Sequence, residues 1–283
     1  SHRAEHPWIA RALLAVLILA FVITVQNTLF DWHYVRARVA RMQKQTEDML
    51  THATNALAYG TFDHQAHIIR GEALLALGRH DQARNAYSRT LDYHANFPNA
   101  HIGIGLVAHG QGDTTEAIRQ YQEALQLDPD DYSAQYNLGI MYRDGRGVVQ
   151  DDAAAVDWFR RAAKQGNALA SNSLGDMHAD GVDNSGRGIP QDKAEAMVWY
   201  RRAATQGSAL AEFNVRAAEQ GQAEALVWYR RLAEQGSSVV QYDLGAMYAR
   251  GLTRKGRGIP QDDAEAVVWF RRAAAQGHAT AEF

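Results

Sequence analysis

Cysteine is absent from the 283 residues, and that one absence removes whole classes of chemistry. No disulfide, zinc finger, thiolate metal site, iron–sulfur cluster, c-type haem attachment or cysteine nucleophile is available. The compartment stays open, because an exported protein need not use disulfides. Charge of one sign is also lacking. With 29 Lys+Arg against 32 Asp+Glu the net charge is −3, without the basic excess that nucleic-acid binding calls for. Proline is scarce, at 5, so little interrupts helices. Catalytic signatures are missing too. There is no G-x-S-x-G elbow, no phosphate loop ending in Lys-Ser/Thr and no H-E-x-x-H. What remains is 46% hydrophobic residues, rich in alanine, enough for a core and favourable to helix.

The first organised feature is apolar. Trp8 to Phe30 is 23 residues long, and Ala12–Val25 carries no charge. At 1.5 Å per residue such a helix reaches about 34 Å, enough to cross a hydrocarbon core of about 30 Å. Trp8 at one end and Trp32 with Tyr34 at the other suit the headgroup region, and Arg11 can snorkel. Residues 1–7 are read as a tail and 8–31 as a transmembrane helix. The competing reading is a signal peptide, but no A-x-A site follows Val25. Gln26 and Asn27, polar near the far interface, are candidates for contact with a neighbouring span. Arg36, Arg38, Arg41 and Lys44 follow the span while Arg3 and Arg11 precede it, so the charge asymmetry favours a cytoplasmic C-terminal part. Residues 32–63 are read as a linker and capping helix. Its apolar stripe is Val35, Val39, Met42, Met49, Ala53 and Leu57.

The rest is self-similar. A shift of 34 carries Gly71 onto Gly105, Ala83 onto Ala117, Tyr87 onto Tyr121 and Leu91 onto Leu125. A shift of 70 carries Leu174–Gly175 onto Leu244–Gly245, Gly186-Arg-Gly-Ile-Pro-Gln-Asp192 onto the identical heptad at Gly256, and Trp199 onto Trp269. Each unit reads as two helices. Ser133–Arg143 has apolar residues at spacing 3–4, Asp144-Gly-Arg-Gly147 breaks it, Asp151 or Asp152 caps the next helix, and Gln165-Gly166 ends that one. Gly139, Gly175 and Gly245, with the alanine pairs Ala162–Ala163, Ala203–Ala204 and Ala273–Ala274, should let helices approach closely. Trp158, Trp199, Trp228 and Trp269 should fill the gaps between units. One hairpin cannot bury its face alone, so stacking is obligatory.

On these residues the chain resembles two repeat families. Residues 64–131 look like two tetratricopeptide repeats, the second better matched through Ile104-Gly105, Gly112, Ala117, Tyr121, Ala124-Leu125 and Pro129. Residues 132–283 resemble Sel1-like repeats, with L-G-x-x-Y, G-x-G-V-x-Q-D and A-x-x-W-[YF]-x-R-A-A-x-Q-G as the signature. Two copies carry insertions around Val182–Ser185 and Leu252–Lys255. Ala209–Gly236 is truncated, with Ala209–Gln220 and Gln222–Gln235 expected to pair across Gly221. Ala281-Glu282-Phe283 repeats Ala211-Glu212-Phe213, so a further unit or a covering partner is expected there, as are residues before Ser1. The resemblance implies an all-α architecture: a transmembrane helix followed by an α-solenoid of stacked hairpins.

Candidate chemistry then finds structural explanations. His64-x-x-His67 lacks further ligands and His67 falls on a repeat position; Asp151, Asp192 and Asp262 start helices; Arg160–Arg161, Arg201–Arg202, Arg230–Arg231 and Arg271–Arg272 are expected to pair with acids across repeats. No cofactor, metal or small-molecule substrate is expected, and no catalysis. The resemblance implies a non-catalytic adaptor that holds other proteins, in this case an accessory subunit of an integral membrane complex, anchored in the bilayer. By repeat position its concave face carries Asn99, Ile102, Leu106 and His109, then Tyr136, Ile140 and Arg143, then Asn172, Asp176, Tyr242 and Arg250. Bacterial Sel1-like proteins are mostly exported, which sets a periplasmic placement against the charge count. The alternatives are a hydrolase-type cell-envelope enzyme that holds substrate on its repeats, and a regulator of a sensor kinase or protease.

Overall fold

Residues 7–43, 45–60, 63–181, 189–251 and 261–276 are described by the structure, a computed structural model. The inserted Val182–Ser185 and Leu252–Lys255, the glycines that open both heptads and the terminal Ala281-Glu282-Phe283 lie outside them. Fourteen helices form among the described residues: α1 Pro7–Met42, α2 Thr46–Tyr59, α3 His64–Ala76, α4 His80–Tyr93, α5 Pro98–Gly110, α6 Thr114–Leu127, α7 Tyr132–Asp144, α8 Asp152–Lys164, α9 Ala168–Asp180, α10 Lys193–Thr205, α11 Ala209–Glu219, α12 Gln222–Glu234, α13 Ser238–Arg250 and α14 Asp263–Ala274. Each packs chiefly on its neighbours in sequence, so the core is a chain of clusters strung along a solenoid.

Local chemistry sets the helix ends. Asp113, Asp131, Asp151, Asn167, Asp192, Ser208, Ser237 and Asp262 each accept a backbone N–H from the first turn of the helix that follows. A cap of this kind stabilises a helix by about 1 kcal/mol. Between the expected Asp151 and Asp152, the cap is Asp151; Asp152 is fully buried instead.

Close packing within a unit follows one device. The aromatic ring of the second helix lies on a glycine of the first. A Cβ on Gly105 would stand 2.6 Å from Tyr121, on Gly139 2.6 Å from Phe159, on Gly175 2.5 Å from Tyr200 and on Gly245 2.8 Å from Phe270. In the three complete Sel1-like units the ring on the glycine is therefore the residue after the tryptophan, Phe159, Tyr200 or Phe270. Trp199 and Trp269 are buried, whereas Trp158 and Trp228 are half-buried under guanidinium groups, Arg161 at 4.7 Å and Arg216 at 4.5 Å.

The N-terminal part departs from the expected single stripe. The chain reverses between α1 and α2, which form a hairpin. Val35 and Met42 are exposed; the inner face is Ala37 and Ala40, against Met49, Ala53, Ile69 and Ala73. Two helices meeting on alanines have no room for the larger side chains, which turn outward. Phe30 and Tyr34 pack on Ala56, Leu57 and Ala66. Residues 15–28 of α1 are exposed along their whole length, and α1 is long and apolar enough to cross a membrane. It enters the array without a flexible linker.

Candidate functional site

A cavity of about 840 Å³ opens across α9, α10, α11 and α13. Its floor is α11, with Leu210, Phe213, Asn214, Ala217 and Ala218; one wall carries Asp176, the other Tyr242 and Asp243. The lining is mostly apolar with a few fixed polar groups.

The polar groups are locked by hydrogen bonds. Tyr200 Oη donates to Asp176 Oδ1 at 2.7 Å, and Asn172 Nδ2 donates to Asp176 Oδ2 at 3.2 Å. Asn172 Oδ1 in turn accepts from Asn214 Nδ2 at 3.2 Å, tying α9 to α11. Tyr229 Oη donates to Asp243 Oδ2 at 3.0 Å, tying α12 to α13. Burial raises the Asp243 carboxyl above its ordinary range, and the Tyr229 hydrogen bond offsets this only in part. Tyr229 itself is raised by burial and by the Asp243 charge.

Asp176, Tyr242 and Arg250 thus come together in one groove, with Asn172 buried behind Asp176. Tyr136, Ile140 and Arg143 lie one unit earlier. The Tyr136 ring centroid is 5.7 Å from that of Phe159, and the Arg143 guanidinium is 6.0 Å from the same ring while bridging Asp144 at 2.8 Å. In the tetratricopeptide part, Asn99 is exposed and Leu106 half-buried, while Ile102 is inside the core with Ala117 and Tyr121. His109 Nε2 lies 3.1 Å from Arg146 Nη1, and its pKa is lowered, first by burial and then by Arg146. Gln26 and Asn27 are exposed on α1. Arg201 and Arg230 reach across units to Glu219 and Glu265 at 2.8 and 2.9 Å, whereas Arg202 and Arg272 stack on tryptophans of their own helices.

Sequence reasoning missed Tyr200, Phe213 and Asp243. The usable signal was the truncated unit. At the position of Gly175 and Gly245, α11 carries Arg216, which bonds Glu212 at 2.9 Å and stacks on Trp228. Tyr229, deprived of a glycine to lie on, meets Phe213 edge-on at 5.4 Å and turns its hydroxyl to the next unit.

With this geometry in place, known proteins agree. Tetratricopeptide repeat matches cover residues 34–101 and 70–130, and Sel1 repeat matches cover 133–167, 168–208, 217–237 and 238–278. The chain is a tetratricopeptide and Sel1 repeat protein. The first match begins inside α1, so the α1–α2 hairpin belongs to the repeat system. The chain is 30% identical over 127 residues to the cytochrome c-type biogenesis protein CycH of Bradyrhizobium diazoefficiens, which is 44% of this chain and 33% of that one. It spans about a third of that relative's length. A Sel1 repeat protein from Oxalobacter formigenes is 31% identical over 76% of this chain and 86% of its own, with TM-score 0.48. Pseudomonas aeruginosa pilF is 16% identical over 76% and 96%, with TM-score 0.54, a likeness of fold. Such solenoids are protein-interaction folds.

Proposed function

We propose that the chain is a non-catalytic docking subunit, held in the bilayer by α1 and gripping a segment of another protein in the groove of its Sel1-like units, as an accessory part of a larger membrane complex. The observation that carries this reading is the groove itself, walled by successive units and lined by apolar side chains with polar groups already fixed. Residues 15–28 of α1 have no protein cover, which supports lipid as their surroundings. The likeness to a cytochrome c-type biogenesis protein supports an assembly role for the complex.

A photo-activatable amino acid at Ala218, in the groove, or at Val267, on an exposed surface of α14, tests the reading in native membranes. Adducts to one protein from Ala218 and none from Val267 are expected. Adducts only from Val267 would move the docking surface elsewhere. In this reading the repeats lie in the periplasm. Arg36, Arg38 and Arg41, which follow the apolar stretch, favour the cytoplasmic placement. Protease added to spheroplasts separates the two, since only periplasmic repeats are cut.

A further inference from the structure

The groove opens where one repeat is short. In the complete units the chain after the first helix folds back onto it: the Asp151 N–H donates to the Tyr142 carbonyl at 3.0 Å, Asp192 to His178 at 2.8 Å and Asp262 to Tyr248 at 3.0 Å. Gln191 Nε2 adds a bond to the Ala179 carbonyl at 2.8 Å. Only Gln220 and Gly221 join α11 to α12, with Gly221 at φ 103° making the turn. Among the described residues no returning segment covers the last turn of α11, and Ala217 and Ala218 line the cavity instead.

The charges around this opening are unevenly hydrated. Lys193 and Arg250 are exposed, at the start of α10 and the end of α13. Asp176 and Asp243 are half-buried, on walls either side of α11, each fixed by a tyrosine hydroxyl. Charges partly withdrawn from water act more strongly than exposed ones, so the inner field of the groove is negative. Burial raises the Asp243 carboxyl, and no described cation is among the groups that shift it. Phe213 and Met247 supply apolar surface next to the two acids.

We infer that the groove takes a polypeptide segment with a basic side chain next to an apolar one, the cation meeting Asp176 and Asp243 and the apolar group lying on Phe213 where the short repeat leaves room. This deepens the docking reading above and rests on it.

The full chain in neutral-lipid nanodiscs is titrated into a fluorescein-labelled peptide alternating leucine and arginine, and into its twin with citrulline, which keeps the shape and loses the charge. Anisotropy gives both affinities. Charge-assisted hydrogen bonds predict at least about tenfold tighter binding of the arginine peptide. That preference should vanish in Asp243→Asn and in Asp176→Asn, which keep an acceptor for each tyrosine. Ala218→Arg, at an exposed position, should abolish it with an unchanged melting temperature and decides the matter if either asparagine variant unfolds. Equal affinity for the two peptides, or a preference that survives Ala218→Arg, would overturn the inference. Adducts from Ala218 in membranes would then still uphold docking with a different specificity; losing both results would remove the docking reading as well.

Discussion

Replacing Gly175 by alanine adds one methyl group, and two opposed effects meet on it. Intrinsic propensity favours alanine inside a helix by about 1 kcal/mol. Against this, the new Cβ would stand 2.5 Å from Cδ1 and Cε1 of Tyr200 and 3.0 Å from its Cγ. The contact reaches the root of the ring, so a small rotation of the tip cannot relieve it. Tyr200 is 4% exposed, and its hydroxyl is held by Asp176, so leaving the glycine breaks that bond. Overpacking of this kind costs about 1–3 kcal/mol. Moving the ring also lengthens its 2.7 Å bond to Asp176, a loss of about 1 kcal/mol or more. The sum is a destabilisation of about 1–3 kcal/mol despite the better helix former. Urea unfolding followed by circular dichroism measures it. Tyr200→Leu in the same background should recover part of the loss, since the side chain that collides is then smaller. Gly175→Ala as stable as the parent would refute the ring-on-glycine account of how each unit closes.

Further outcomes follow from the same structure. Asp243→Asn should raise the melting temperature at neutral pH: the folded carboxyl is raised above 3.8, so the folded state holds its proton longer and stability falls as pH rises from about 4 through the raised value. The advantage should disappear at about pH 4, and a less stable variant at pH 7 would contradict it. His109 has the opposite sign. Its pKa is lowered from 6.5 by burial and Arg146, against the pull of Asp144, so the unfolded chain protonates first and stability drops as pH falls below about 6.5. His109→Gln should remove that part of the slope in melting temperature against pH. Ala37→Leu, at a fully buried contact of α1 with α2, should cost about 1–3 kcal/mol and speed limited proteolysis between α1 and α2.

Much of this was legible in the sequence because repeats are redundant. Two shifts fixed the pairing of helices, Asp151, Asp192 and Asp262 marked helix starts, and Gly221 marked the truncated hairpin. The all-helical solenoid followed. The N-terminal stripe held for Met49, Ala53 and Leu57 and failed for Val35 and Met42, because a period of 3–4 continues in sequence through a reversal of direction; Ala37 and Ala40 mark the close hairpin, and small residues carry a weak hydrophobic signal. The tryptophans pack between units as their period suggests, Trp158 on the cluster of Ile102 and Tyr121 and Trp199 in that of Val156 and Phe159; what the period left open is which ring lies on the glycine. The tryptophans recur as strictly as Phe159, Tyr200 and Phe270, and periodicity cannot say which of two adjacent rings points at the glycine. Site residues were legible by repeat position on α9 and α13. Phe213 and Asp243 were not, because the truncated unit breaks the register on which such extrapolation depends.

The truncated unit and the unbroken α1 bear on the same question. A regular solenoid offers each unit's surface equally, and nothing in its period selects a binding position. The missing returning segment at one hairpin breaks that equivalence, leaving Ala217 and Ala218 to line the cavity, with Tyr229 bonded to Asp243 of the next unit. If the groove is the docking position, it is set by a shortened hairpin rather than by an added motif. On the membrane side, α1 passes directly into the packing of Ala37 and Ala40 on α2 and α3, so a bilayer anchored on residues 15–28 would fix the height and bearing of the array as well as its proximity. A flexible tether would raise only the local concentration of the groove. A rigid one also restricts the partner to those whose exposed segment reaches that height, and this makes a Gly-Ser insertion at residues 43–45 informative. Bilayer retention should be unchanged, while cross-linking from Ala218 should fall if bearing matters and persist if proximity alone suffices.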